Sequence, residues 1–501
     1  MKSTLRGDDL KVKRPNNVII LLQRVYVYIF LAAMFSISIP MLHKYTGRYI
    51  KFVLLFGFFS IAVDAFYRRG IFKNKNKTLI ILFLSTSVLT ILLNFRLNAI
   101  ENLTQFLYNS IFLLLFFPAC LVDSEDSAQK HFINFSLFFI LISFIAAFAS
   151  LILYFIQFSA VIDNVRIGFY LGRLWGVYTS PNAGGIYAII SIVLSTYCYK
   201  RLSKNCSKIK NILNIAFFIL NLAVQLIFIS LTDSNSSILT ILVLLSFYIL
   251  FKSFYSAHRP KPILHFGIVF MKIVFSCLIT VIALKLTSYL VGYIPPALVS
   301  LSDNQAVRIL STETTDDQSV TFAALPQLVP HNKPTTSYAK LPHVDTGRRY
   351  KDTGGFASGR LAIWKMGLST LKNNPLFGVG QENVYEIANE MYPEHPEITK
   401  KLKSGTHNLY IQTLVSTGII GSIFFFCLLF KSIFLCVKKV SYHYYAECIG
   451  ILALVLCMLF NNIAESTIYF CQSGIGCIFW FCLGFCLSKA DYKSTNGGDH
   501  I

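Results

Sequence analysis

The chain lacks the sequence signatures of several large enzyme classes. It contains no P-loop, no Rossmann fingerprint and no internal repeat, so no motif in it indicates a nucleotide-binding fold or a repeat protein. Its cysteines show no metal-ligand spacing, and most of them lie in apolar runs. We therefore predict no metal site, no cofactor and no disulfide framework, and we expect the cysteines to be small buried hydrophobic residues.

Charged residues are scarce as well. They make up 14% of the chain, whereas 54% is hydrophobic and the mean hydropathy is +0.58. Hydropathy this high excludes an ordinary soluble domain, and the apolar runs are long enough to cross a bilayer core of ~30 Å as helices. We predict about twelve transmembrane helices, at 18–42, 49–66, 78–95, 103–122, 132–158, 184–199, 211–231, 236–251, 264–292, 408–430, 444–461 and 467–488.

These runs predict an all-α, polytopic integral membrane protein with a large external loop between helices nine and ten. Residues 1–292 form an N-terminal bundle of about nine helices, and 408–488 contribute about three more. Residues 293–407 are the external loop, and 489–501 are a cytoplasmic tail. The first apolar run is too long for a secretory signal and no cleavage site follows it, so we predict an uncleaved helix.

The net charge of +21 does not indicate a nucleic-acid partner, because its distribution is topological. Lys and Arg are concentrated in the N-terminus and in the loops 67–77 and 200–210, whereas 96–102 contains only Arg96 and 232–235 contains neither. The positive-inside rule then places both termini in the cytoplasm, and anionic membrane lipids attract the basic loops. The opposite, external end receives the loops 159–183, 232–235, 293–406 and 462–466, which hold most of the unusual polar residues.

The long external segment has two parts. Residues 302–357 are rich in Thr, Ser, Asp and Pro and have no sustained period, which predicts a loosely ordered insertion. Residues 358–392 predict two interfacial helices on the membrane surface, separated by the turn Gly378-Val379-Gly380. The second helix is expected from Gln381 to Met391. One face of the first helix is expected to carry Leu361, Trp364, Leu368 and Leu371.

The strongest chemical signal is His407-Asn408, at the point where this polar segment meets the next apolar run. Histidine is the side chain whose ordinary pKa suits proton transfer near neutral pH. A helix-start histidine at the membrane surface is the simpler interpretation of His407 alone. Nine residues after Asn408, Gly418 and Gly421 follow, and small residues at this spacing permit close helix packing.

These motifs together resemble the O-antigen ligase and O-antigen polymerase family. The similarity rests first on His-Asn, nine residues and Gly-x-x-Gly, which run from His407 to Gly421. It extends to Arg360 with Trp364, followed by Asn374-Pro375-Leu376-Phe377-Gly378-Val379-Gly380-Gln381-Glu382-Asn383. A third match is Arg173-Leu174-Trp175-Gly176, which leads to Pro181-Asn182-Ala183.

The resemblance implies a membrane glycosyltransferase of cell-surface polysaccharide biosynthesis in the bacterial cytoplasmic membrane. Its donor would be a glycan on an undecaprenyl-diphosphate-type carrier, and its acceptor a hydroxyl of a glycan or of a lipid-linked molecule on the external face. The motifs do not separate a ligase from a repeat-unit polymerase. A polysaccharide or lipid transporter or flippase is the alternative from another class. It is less favoured because the few intramembrane charges do not gather at mid-depth.

The same resemblance assigns roles to individual residues. His407 is the expected general base, and Arg360 the cation for the leaving diphosphate, with Arg173 as a second candidate. Inversion without a metal follows if the arginines neutralise that charge. Asn408 would orient the imidazole or bind a sugar, and Trp364 is either a sugar platform or an interfacial aromatic.

One position departs from the family pattern. Members commonly carry an arginine in the 232–235 loop, in a Thr-x-Ser-Arg context, whereas this chain has Asn235 after Thr232-Asp233-Ser234. Asn235 and Asp233 are included among the substrate-binding candidates. Either another cation replaces the arginine, for which Arg173 and Lys365 are candidates, or the substrate differs, or the protein is impaired. Glu465 is also external and polar, with a surface role as its simpler interpretation.

Overall fold

A computed structural model of the chain describes residues 17–68, 72, 74–121, 124–162, 165–170, 172–203, 208–254, 262–295, 358–443 and 448–496. The predicted insertion 302–357 lies outside the described residues. So do residues 1–16 and the end of the predicted cytoplasmic tail.

The described chain is built mainly from helices. Those before the long polar segment are α1 (Asn17–Ile37), α2 (Pro40–Val63), α3 (Lys77–Leu93), α4 (Ala99–Ile111), α5 (Glu125–Phe155), α6 (Pro181–Leu202), α7 (Lys208–Thr232), α8 (Asn235–Phe254) and α9 (Pro262–Gly292). Those after it are α10 (Ser358–Thr370), α11 (Val384–Met391), α12 (Pro396–Thr399), α13 (Leu409–His443), α14 (Ile449–Asn461) and α15 (Gly474–Asn496). Single π-helical turns continue α2 at Asp64–Arg68 and α4 at Phe112–Phe116.

Length and composition confirm an all-α membrane protein. Eight of the described helices are long and apolar enough to cross a bilayer, and three shorter apolar helices lie at Lys77–Leu93, Ile449–Asn461 and Gly474–Ser488. Large apolar side chains remain exposed along these helices, as on α9, where Phe275 is 64% exposed. Lipid is the solvent that such surfaces require. The number of spans and their orientation stay predictions.

Aromatic side chains fill the centre of the bundle. Phe132 and Phe135 of α5 stack on Phe485 and Phe481 of α15, with ring centroids 3.8 and 3.9 Å apart. Trp480 is fully buried against Phe117 and donates its indole N–H to the carbonyl of Ile468. Because lipid gives no hydrophobic driving force between helices, such close packing and internal hydrogen bonds hold the bundle together.

A small sheet forms where a plain loop was expected, in the external segment 159–183. The strands β1 (Ser159–Ile162), β2 (Val165–Tyr170) and β3 (Arg173–Gly176) pair antiparallel in sequence order. Hydropathy does not reveal strands this short, although their branched and aromatic residues favour extended chain. Gly176 ends β3 at φ 61°, where a Cβ would stand 2.2 Å from Ser150 Oγ of α5, so the sheet lies against the bundle.

Helix α13 is broken at Gly418, which adopts φ 67° and ψ −171°. Residues 374–380, called here the inserted segment, lie in the gap and bond to the interrupted backbone. Ile419 and Ile420 donate their N–H groups to the carbonyls of Pro375 and Leu376, at 3.0 and 3.1 Å. Val379 N–H in turn donates to the carbonyl of Val415 at 2.9 Å. Backbone freed by a break within a membrane helix needs such partners, because lipid offers none.

The first helix after the polar insertion uses a different face for packing than its pattern suggested. Ile363 and Met366 of α10 are buried, in a cluster with Val379, Ile387 and Leu402. Leu361 and Leu368 of the expected apolar face are instead 54% and 38% exposed. The helix therefore carries two apolar stripes: one packs on the external segment, and the other is free for a membrane surface.

Candidate active site

Four separate parts of the chain meet around the carboxylate of Glu465, which lies between α14 and α15. Its Oε1 is 3.2 Å from Arg360 Nη2 and accepts from Asn182 Nδ2 at 3.3 Å. Its Oε2 is 3.6 Å from His407 Nδ1. Only 15% of the Glu465 side chain is exposed, against 26% for Arg360 and 34% for His407. A guanidinium, an imidazole and an amide thus converge on one largely buried carboxylate.

His407 stands in a left-handed backbone conformation, with φ 51°, directly before α13. A non-glycine residue in this region costs about 1–3 kcal/mol and is retained where the surroundings determine it. The chain after α14 provides these surroundings, because the single N–H of Leu409 is shared between the carbonyls of Asn462 and Glu465, at 2.9 and 3.1 Å. The two ring nitrogens of His407 then face different partners: Nδ1 faces Glu465, and Nε2 lies 3.1 Å from Ser404 Oγ.

Asn408 caps α13, and both groups of its side-chain amide are bonded to backbone atoms. Its Oδ1 accepts from the N–H groups of Tyr410 and Ile411 at 2.9 and 3.0 Å, which satisfies two donors of the first helical turn. Its Nδ2 donates to the carbonyl of Ile463 at 2.8 Å, and the residue is 6% exposed. Neither amide group faces the imidazole or open space, so Asn408 acts by fixing the backbone that presents His407.

Arg360 belongs to the first turn of α10, and the external segment is what brings it to the site. Trp364, one turn later, donates its indole N–H to the carbonyl of Thr406 at 3.0 Å. The Thr406 N–H donates to Gln412 Oε1 of α13 at 2.7 Å. Trp364 therefore holds α10 against the chain that precedes His407, which accounts for it without a sugar-stacking role.

Arg173 lies at the start of β3 and reaches the 232–235 loop. Its Nε donates to the carbonyl of Thr232 at 3.0 Å. Ser234 of the same loop donates its hydroxyl to Asn182 Oδ1 at 2.8 Å, and Asn182 is bonded to Glu465. The motif around Arg173 is thereby joined to the Arg360 and His407 motifs through hydrogen bonds at one end of the bundle.

Asp233 of the 232–235 loop is paired with a lysine from another helix, which is not among the predicted site residues. Lys285 of α9 lies with Nζ 2.9 Å from Asp233 Oδ1, and its side chain is 60% exposed. Asp233 is thus paired with a lysine and is not part of the Glu465 cluster. Asn235 begins α8 with an exposed side chain. Lys285 therefore places a positive charge beside Asp233, which is two residues before the position where family members have an arginine. Lys365, the other candidate cation, is exposed on α10.

The part of the chain that the structure describes contains no cluster of potential metal-binding residues. No three His, Cys, Asp or Glu side chains come together there as ligands would. The eleven described cysteines are all free thiols, and eight of them are buried.

The sequence motifs point to His407, Arg360 and Arg173, whereas Glu465 is given a surface role and Lys285 is not among the predicted site residues. Both lie outside any local pattern: Glu465 is 58 residues from His407 and 105 from Arg360, and Lys285 is 52 from Asp233. The only available signal was an acidic residue in a loop expected on the same face as His407.

Part of the chain matches a known protein family. No curated protein sequence matches the chain significantly. Residues 220–426, however, match the model of a family described as O-antigen ligase, and the match includes Arg360, His407 and the Gly418 break. This match confirms the resemblance predicted from the motifs: residues 220–426 of this membrane protein are similar to the O-antigen ligase family.

Proposed function

We propose that the protein transfers a glycan from a polyprenyl-diphosphate carrier to an acceptor hydroxyl at the external membrane face. The observation that carries the proposal is the Arg360–Glu465–His407 cluster, in which a guanidinium and an imidazole share one carboxylate. Such a transfer needs a cation for the departing diphosphate and a base for the incoming hydroxyl. This cluster contains one group for each of these two needs.

Arg360 is the group for the diphosphate. A planar guanidinium binds two phosphate oxygens at once and stays charged at every accessible pH. Its present partner, Glu465, is only 3.2 Å away, so the guanidinium already lies where an anion is held. Arg173 and Lys285 add positive charge around the 232–235 loop, where they would also bind the diphosphate of the donor.

His407 is the base. If Nδ1 carries its proton toward Glu465, Nε2 keeps a free lone pair on the more exposed side. Ser404 Oγ lies 3.1 Å from Nε2 and itself donates to the carbonyl of Lys401, so an oxygen fits at hydrogen-bonding distance from this nitrogen. In the reaction, an acceptor hydroxyl would take that place and donate to Nε2.

The reaction step follows from these positions. The acceptor oxygen forms a bond to the anomeric carbon while its proton passes to His407 Nε2. The bond from that carbon to the diphosphate oxygen breaks, and its electron pair leaves with the diphosphate, which Arg360 stabilises. Attack from the side opposite the leaving group inverts the anomeric centre. Glu465 stabilises the imidazolium that forms, as a carboxylate does in related acid–base pairs. No step requires a metal.

Two alternative functions would also bind the lipid-linked donor. They differ from this proposal in what happens to the donor after it is bound. A repeat-unit polymerase would use the same cluster with a second lipid-linked glycan as acceptor. A flippase would need polar groups at mid-depth and alternating access. Among the described residues, the broken helix α13 favours a flippase. Against it, the inserted segment already satisfies backbone groups on both sides of the Gly418 break.

The test is transfer from a synthetic polyprenyl-diphosphate glycan by the purified chain. His407→Ala is expected to lower turnover about a hundredfold to ten-thousandfold, as loss of a general base does. Arg360→Lys is also expected to be severely impaired, since an ammonium keeps the charge but loses the two-point grip. His395→Ala is the matched control, because this exposed histidine pairs only with its neighbour Glu394.

Two results would count against the mechanism. Near-normal turnover by His407→Ala would exclude the proposed base. Loss of wild-type activity on addition of a chelator would exclude the metal-independent form.

A further inference from the structure

A small cavity lies beside the break in α13, apart from the Glu465 cluster. It is partly open and is bordered by α3, α4, the inserted segment with Gln381, the first half of α13 and the chain at 469–470, with a volume of about 30 Å³. That space accommodates roughly two or three water molecules. Its polar lining includes Gln105, Asn109 and Ser416, and its aromatic lining Phe106 and Tyr469. None of the described residues that line it is charged.

Two side chains of α4 present unused hydrogen-bonding groups in this cavity. Gln105 Nε2 donates to Asn109 Oδ1 at 3.3 Å, and the same oxygen accepts from Phe470 N–H at 3.3 Å. Gln105 Oε1 and Asn109 Nδ2 bond to no other group in the described chain. Both side chains are nevertheless almost fully enclosed, with 5% and 4% of their surface exposed. An amide flip would exchange donor and acceptor without removing either free group.

A third amide adds to this set. Gln381 follows the inserted segment, and its Nε2 donates to the carbonyl of Phe470 at 2.9 Å. Its Oε1 is buried without a hydrogen-bond partner among the described residues. The hydrogen bonds that these three amides do make are explained by their role in holding neighbouring segments together. The free halves remain available to a ligand in the cavity. For Gln381 Oε1, which is buried without a partner, the missing hydrogen bond costs about 1–3 kcal/mol.

We propose that this cavity is a subsite for the hydroxyl groups of an uncharged sugar. Free amide donors and acceptors side by side match hydroxyls, which both donate and accept. Without a cationic side chain, the lining offers no partner for a diphosphate, since a buried charge needs one. A space of about 30 Å³ admits hydroxyl groups but not a whole ring, so the ring would lie at the opening of the cavity. Phe106 and Tyr469 contribute apolar surface beside those hydroxyls.

One side chain connects this sugar subsite to the candidate base. Gln412 of α13 accepts from the N–H of Thr406, the residue before His407, at 2.7 Å. Its Nε2 donates to Ser416 Oγ, which lines the cavity, at 3.0 Å. The inference rests on the proposed glycosyl transfer, and the sugar belongs either to the donor glycan or to the acceptor.

Kinetics of the purified full chain separate these two sources. Gln105→Met keeps the length of the side chain and removes its amide. Asn109→Asp keeps the oxygen that binds Phe470 N–H and removes the free donor. Each is expected to raise one KM about threefold to tenfold, the value of one or two neutral hydrogen bonds. A change confined to the donor KM assigns the subsite to the donor glycan, and one confined to the acceptor KM assigns it to the acceptor.

The matched control is Gln225→Met. This buried glutamine of α7 bonds to Asn221 and Ser191 in a polar cluster that shares no residue with the cavity. It is expected to leave both KM values unchanged. Thermal unfolding in detergent shows which variants fold, and Asn109→Asp decides if Gln105→Met does not. Unchanged KM values for both substrates in a folded cavity variant would overturn the proposal.

Occupancy is measured without turnover by photocrosslinking to the wild-type chain. The probes are a polyprenyl-diphosphate disaccharide and a panel of octyl glycosides, each with a diazirine on a sugar ring. Crosslinks to the α4 peptide that contains Gln105 are expected, and Gln105→Met should reduce them while Gln225→Met does not. Absence of α4 crosslinks would overturn the subsite even if transfer is observed. Crosslinking without transfer would instead count against the proposed reaction and leave the subsite supported.

Discussion

Gly378 and Gly418 lie against each other with no room for a side chain on either. A Cβ on Gly378 would stand 2.5 Å from the backbone nitrogen of Gly418, and a Cβ on Gly418 would stand 2.3 Å from the carbonyl oxygen of Leu376. Both glycines also have positive φ, at 73° and 67°. The family motif around Gly378 and the one that starts at His407 are therefore two halves of one structural unit, in which a loop enters a broken membrane helix.

Alanine at Gly418 is expected to destabilise the protein. The strained backbone alone costs about 1–3 kcal/mol, and the contact with Leu376 adds to it because a backbone atom cannot rotate away. Gly450→Ala is the control, since a Cβ there would meet only Val193 at 4.0 Å. Thermal unfolding in detergent should show a lower midpoint for Gly418→Ala and no loss for Gly450→Ala. Equal midpoints would mean that the inserted segment is not packed as described.

The membrane helices could be predicted because each makes its backbone hydrogen bonds within its own segment and appears in the sequence as a long apolar run. The apolar run expected at 264–292 is helix from Pro262 to Gly292, and the one expected at 49–66 lies within α2 and its π turn. His407 and Arg360 could be proposed from the sequence because a contiguous motif surrounds each of them. These features depend on neighbours in sequence, and that is what a sequence pattern records.

The remaining features depend on residues distant in sequence. The glycines at 418 and 421 suggested close helix packing, whereas Gly418 interrupts the helix to receive residues 374–380. Asn408 is predicted to orient the imidazole or bind a sugar, and in the structure its side chain caps α13. Trp364 bonds to the carbonyl of Thr406. Glu465 and Lys285 have no local motif, and only the fold brings them to Arg360 and Asp233.

Glu382 gives the external segment a pH-dependent stability. Burial, and next the negative charge of Glu101, raise the pKa of this carboxyl above its ordinary value of 4.5. The folded state therefore binds the proton more tightly than the unfolded state, so stability falls as pH rises from that ordinary value through the raised pKa. Glu382→Gln should unfold at a higher temperature than wild type at pH 7 and lose that advantage near pH 4.

The exposed Glu386→Gln serves as its control, because its side chain has little burial to relieve. Thermal unfolding of both variants across this pH range is the measurement. A stability gain for Glu382→Gln that is the same at pH 4 and pH 7 would refute the electrostatic explanation.

Lys285 is expected to replace the arginine that Asn235 does not provide. Lys285→Ala should raise the donor KM roughly tenfold, because a charged hydrogen bond to phosphate is lost. Lys272→Ala, on the same helix but without the pairing to Asp233, should leave it unchanged. Adding Asn235→Arg to Lys285→Ala should restore donor affinity, since the side chain at 235 is exposed and has room for a guanidinium. A donor KM that responds to neither change would remove this loop from donor binding.

Glu465 should separate binding from turnover. In the free protein its carboxylate holds Arg360 at 3.2 Å and faces His407 at 3.6 Å, so it competes with the diphosphate for the guanidinium while it supports the imidazolium. Glu465→Gln removes both effects. The donor KM is expected to stay level or fall, because Arg360 is released, whereas kcat should fall about a hundredfold or more, as it does when a carboxylate behind a catalytic histidine is neutralised. Glu465→Asp, which keeps the charge on a shorter side chain, should recover part of kcat.

Steady-state kinetics of the wild type and of these two variants provide the measurement. A rise in donor KM with kcat unchanged would show that Glu465 only holds Arg360 in place, and the pairing with His407 would then have no part in the reaction.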